Sequence, residues 1–128
     1  MCESMGRKKV DIELITHLCS RALRRSRARY YYRCWKAMVD GGASAYSAKE
    51  KCSELAGKVM TFTKEDFEVE ARKYIDEKKA WRLRLSTLLR TLRKLASDED
   101  EAWIEWHKGD YGRRRGIYKL KNVEEVGG

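Results

Sequence analysis

The chain contains no proline, only two histidines and two phenylalanines, and its four cysteines include no C-x-x-C pair. Without proline, long helices can run uninterrupted, and an elaborate all-β fold, whose turns usually recruit it, is disfavoured. Cys2, Cys19, Cys34 and Cys52 stand singly, with no histidine near enough in sequence to build a zinc knuckle, so free thiols and no metal site are expected. No apolar run approaches the roughly 18 residues of a membrane span and no signal peptide is evident, which predicts a cytoplasmic protein in a reducing compartment, nucleoid-associated or, in a eukaryote, nuclear. The chain also lacks a P-loop, a G-x-S-x-G elbow and an H-E-x-x-H helix, and only His17 and His107 offer an imidazole base. Neither an enzyme nor a cofactor is expected. The carboxylates of Asp98 to Glu101 crowd one turn without a partnering histidine and read as solvated.

What is present is charge of one sign. Over 128 residues, 29 Lys and Arg face 20 Asp and Glu, a net charge of +9 that favours a polyanionic partner. Hydrophobic residues make up 42%, with four Trp and seven Tyr, enough bulk for a core, so the charge does not mean disorder. The length fits one domain.

Met1 to Lys9 is polar, basic and aperiodic, and residues 1 to 10 are expected to be a flexible lead-in, as are 122 to 128 at the other end. From Asp11, Ile12, Ile15, Cys19, Ala22, Ser26, Tyr30, Cys34 and Ala37 recur at three- and four-residue steps, predicting a helix to about Met38 that stops at Gly41-Gly42. Its flank holds Arg21, Arg24, Arg25, Arg27, Arg29 and Arg33. Residues 7 to 36 contain ten Lys or Arg and two acids, so this flank reads either as a solvated surface or as a second polyanion contact. Tyr30, Tyr31, Tyr32 and Trp35 add aromatic surface that could pack internally or support a homodimer through this helix. Residues 44 to 59 read as a second helix with nearly balanced charge. Thr63 followed by Glu65 and Asp66 is a cap with acids in the first turn, opening a third helix to about Ile75 with Phe67, Ala71 and Tyr74 inward.

Residues 81 to 96, WRLRLSTLLRTLRKLA, set Trp81, Leu85, Leu88, Leu89, Leu92 and Leu95 on one arc of a helix. The opposite arc carries Ser86, Thr87, Arg90, Arg93 and Lys94, with Arg84 beside it and no acid in the whole segment. Hydroxyls can donate to phosphates or bases, and an arginine can make two parallel bonds to the O6 and N7 edge of guanine, so this face suits a major groove. Next, Ala102, Ile104 and Trp106 alternate with Trp103, Glu105 and His107, and Tyr118 and Leu120 alternate with Ile117 and Lys119, predicting two antiparallel strands. Between them lies a glycine-containing tip with Lys108, Arg113, Arg114 and Arg115, placed to reach a phosphate backbone or a narrow minor groove.

A capped helix, a turn, a basic amphipathic helix and two strands around a basic tip resemble the winged-helix superfamily of DNA-binding domains. The resemblance spans residues 62 to 121, and to residue 11 if the first helices complete the bundle. It implies a mainly α fold with a small β-hairpin, a winged-helix-like bundle with an extended N-terminal helix. Residues 11 to 59 then form the N-terminal helices, 62 to 96 the helix-turn-helix and 102 to 121 the wing. The expected partner is double-stranded DNA, as for a transcription regulator, read by Arg84, Ser86, Thr87, Arg90, Arg93 and Lys94 with Lys108 and Arg113 to Arg115 on the backbone. Arg21, Arg24 and Arg25 could extend the footprint. RNA binding through the first helix is the alternative, and a protein-interaction adaptor using Trp103 and Ile117 the third. Two departures stand out: an acidic segment, Asp98 to Glu101, follows the basic helix, and the family's short strand after the first helix is not evident.

Overall fold

The N-terminal part of this proline-free chain forms one helix, α1 (Cys2–Asp40), of 39 residues. The computed structural model describes residues 2–98, 103–107 and 117–121. The helix begins at Cys2, whereas the sequence places its start at Asp11; only Gly6 in that stretch disfavours a helix, by about 1 kcal/mol. It stops where expected, because Gly42 takes φ 100° and lets the Ala43 N–H donate back to the Met38 carbonyl at 2.9 Å. A second helix, α2 (Ala45–Gly57), capped by the Ser44 side chain, folds back on α1 and buries Ala48, Cys52 and Ala56.

The chain then makes a three-residue strand, β1 (Thr61–Thr63), followed directly by α3 (Lys64–Lys78), α4 (Leu85–Ser97), β2 (Ile104–His107) and β3 (Ile117–Leu120). The protein is therefore mainly helical with a small antiparallel sheet, as its composition predicts. The sheet order is β1-β3-β2, with Thr61 opposite Lys119 and Glu105 also opposite Lys119. β1 is the strand not evident in the sequence. Phe62 stacks on Tyr118 at 5.7 Å between ring centres, and the Leu120 N–H donates to the Met60 carbonyl at 2.8 Å.

One core joins these parts. Ile15, Leu18, Cys19, Ala22 and Leu23 of α1 meet Phe62, Phe67, Ala71, Leu88, Leu92, Ile104, Tyr118 and Leu120. Of the strand residues predicted to face inward, Ile104, Tyr118 and Leu120 are buried. The stripe predicted for α1 is core only in its middle, since Ile12 and Tyr30 are exposed, while Leu18 and Leu23, off that stripe, are buried. Trp103 is half-buried and packs against the core, whereas the sequence places it on the outer strand face with Ile117. At the entry to β2 its carbonyl accepts from the Lys121 N–H at 2.8 Å.

β1 is pinned to α1 as well as to β3. The buried Ser26 hydroxyl donates to the Thr61 carbonyl at 2.7 Å, and Arg27 Nε donates to the Val59 carbonyl at 2.9 Å. Ser26→Ala is expected to cost about 1 kcal/mol, the net value of one such bond. Urea denaturation should show a lower midpoint with an unchanged slope.

Candidate nucleic-acid interface

The helix predicted over residues 81 to 96 starts at Leu85, because Lys79 caps α3 in the left-handed conformation (φ 51°) and the chain turns through Ala80 to Leu83 before re-entering a helix. Trp81, expected on the buried arc, is consequently 65% exposed. Beyond that turn the predicted division of faces is realised. Leu88, Leu92 and Ala96 are buried, Leu85, Leu89 and Leu95 pack against the core, and Arg84, Ser86, Thr87, Arg90, Arg93 and Lys94 are exposed together. Arg84 is the N-cap residue and offers no side-chain cap, though its carbonyl accepts from the Thr87 N–H at 3.0 Å. The side chains of Arg84, Arg90 and Lys94 meet no hydrogen-bonding or ion-pair partner among the described residues. Arg93 reaches back to the Tyr118 hydroxyl; burial raises that phenol's pKa and the arginine offsets part of the rise.

The arginines of α1 have a different occupation. Arg21 Nε donates to Glu70 at 2.9 Å and its Nη1 lies 3.5 Å from Glu77. Arg25 approaches Asp66 at 3.6 Å, and Arg29 grips the same carboxylate with both terminal nitrogens, Nη2 at 2.9 Å. Asp66 is 2% exposed and also accepts from the Thr63 N–H at 3.0 Å while the Thr63 hydroxyl accepts from the Asp66 N–H, a reciprocal cap on α3. Burial pushes the Asp66 carboxyl upward, but Arg29 and the Thr63 backbone outweigh it and hold the group below the ordinary carboxylate range. Of the α1 residues proposed from sequence, Arg21 and Arg25 thus belong to a clamp between α1 and α3, and Arg24 alone is exposed with no partner among the described residues. The reason is positional: Arg21, Arg25 and Arg29 recur every fourth residue and face an acidic stripe on α3.

Lys108 and Arg113 to Arg115, the predicted wing tip, lie outside the described residues, as does most of the acidic segment after α4. The thiols of Cys19 and Cys52 are buried and that of Cys34 half-buried; none of the three is in a disulfide, and the Cys52 thiol donates to Met38 Sδ at 3.7 Å. Burial beside Cys34 pushes the Cys52 thiol up to about 11, and burial raises Cys19 further, so both stay protonated at neutral pH. Among the described residues no helix is long and apolar enough to cross a membrane. Compared with known proteins, the chain matches no family model, no curated protein and no solved structure.

Proposed function

We propose that this protein binds double-stranded DNA as a winged-helix-type module, α4 lying in the major groove and the segment joining β2 to β3 reaching the flanking backbone. The observation that carries the reading is the contrast between the two basic helices. On α1 three arginines are consumed by Asp66, Glu70 and Glu77, whereas the α4 face keeps Arg84, Arg90 and Lys94 without intramolecular partners beside the hydroxyls of Ser86 and Thr87. A cationic face that the fold does not neutralise is available to phosphates, and the hydroxyls at its N-terminal end sit where recognition helices touch base edges. The connection of elements supports the same reading. A strand between the first helices and α3, paired to the last strand in the order β1-β3-β2, supplies the element that the winged-helix resemblance lacked in the sequence.

Competition among duplex DNA, duplex RNA and single strands, each at low and moderate salt, tests the proposal. Duplex DNA should compete best and every complex should weaken as salt rises. A preference for structured RNA that Arg90→Ala leaves intact would overturn it.

A further inference from the structure

A cavity of about 600 Å³ opens between the C-terminal half of α1, the segment leading into β1, and β3. Four cations from three parts of the chain line it, Arg29 and Arg33 of α1, Lys58 and Lys119, together with Tyr30 and Met60. No carboxylate lines it among the described residues. The neighbouring groove between α1 and α3 shows the opposite arrangement, since three of its four arginines, Arg21, Arg25 and Arg29, pair with Glu70 or Asp66. Arg33 and Lys119 have no partner among the described residues. Glu105, across the sheet from Lys119, pairs instead with Lys121 at 3.3 Å, and Lys58 keeps only a surface contact with Glu54 at 3.7 Å. Convergent like charges repel one another and are stabilised by an anion that they share.

The lining is not built for inorganic phosphate alone. Tyr30 presents a ring that is 41% exposed, and Val59 and Met60 add apolar surface. The volume lies within the range of small-molecule pockets, about 300–1,000 Å³. We propose that this cavity binds a phosphorylated nucleoside, with Arg33, Lys58 and Lys119 holding the phosphate and Tyr30 stacking on the base. Arg29 forms the back of the site while remaining committed to Asp66. The site shares no residue with the α4 face and does not depend on DNA binding.

Isothermal titration of the full chain with adenosine and guanosine 5′-phosphates, the unphosphorylated nucleosides and inorganic phosphate provides the test. Saturable binding of a nucleotide is expected, weakened at least tenfold by Arg33→Glu with Lys119→Glu and also by Tyr30→Ala, all three being surface positions at which folding is preserved. The nucleosides should not bind measurably, and inorganic phosphate should bind more weakly than the nucleotides. Arg84→Ala with Arg90→Ala should leave nucleotide affinity unchanged, so this proposal and the DNA reading fail separately. Absence of saturable nucleotide binding, equal binding of inorganic phosphate, or insensitivity to Arg33→Glu with Lys119→Glu would overturn it.

Discussion

Replacing Arg29 by Met is expected to destabilise the protein by about 3 kcal/mol at neutral pH, the lower part of the range for stranding one partner of a buried ion pair. The carboxylate left behind is almost wholly buried and keeps only the Thr63 N–H and the longer approach of Arg25 at 3.6 Å. Arg25 is why the cost stays in the lower part of that range. The effect has a definite pH dependence. In the wild type the folded pKa of Asp66 lies below its unfolded value, so the group adds stability above about pH 4 and that contribution is lost as pH falls through the folded value. In Arg29→Met the guanidinium that opposes burial is gone, so the folded pKa rises from its wild-type position and the variant loses less stability as the carboxyl is protonated. The gap between wild type and variant should therefore be widest near pH 7 and shrink as the medium is acidified. Urea denaturation at both pH values measures this, and a gap below 1 kcal/mol or one indifferent to pH would show that the clamp contributes little.

The second large effect concerns binding. Arg84→Ala combined with Arg90→Ala should lower affinity for duplex DNA by roughly thirtyfold or more, taking about 1–3 kcal/mol for each arginine that contacts a base edge. If both instead contact phosphates, the slope of log affinity against log salt should flatten by about two, since each neutralised phosphate contributes about 0.9. Fluorescence anisotropy across a salt series distinguishes these two modes. Arg24→Ala, on the other basic helix, serves as the comparison: a loss equal to that of the double variant would move the interface to α1. Folding should survive in both, because none of the three side chains is buried or paired among the described residues.

Much of this architecture was legible from local pattern. Thr63 with Asp66 announced the start of α3, the leucine arc of residues 85 to 95 announced which side of α4 faces the core, and the alternation around Ile104 and Tyr118 announced the hairpin. Each of these signals lies within a few residues of the element that it defines. What escaped depends on contacts far along the chain. Thr61 to Thr63 is too short to show a period, and it is a strand because Ser26 and β3 hold it. The fate of the α1 arginines was equally non-local, although a signal existed: Arg21, Arg25 and Arg29 recur at four-residue steps, and the earlier arginine meets the later acids Glu70 and Glu77 while Arg25 and Arg29 meet the earlier Asp66, as two antiparallel helices require. Reading the charges of α1 by themselves made them look available. Trp81 was misplaced because the apolar arc of α4 extends in sequence through a turn that the left-handed Lys79 imposes.

The position of β3 bears on how the protein comes to be folded at all. It is the middle strand of the sheet and the last of the described elements to be synthesised, and both of its neighbours pair with it and not with each other. The helices can associate as they emerge from the ribosome, yet β1 and β2 have no ladder until residues 117 to 120 arrive. Closure of the sheet is accordingly the late, long-range step, and a nascent chain stalled before it would expose two strand edges together with the aromatic face of Phe62.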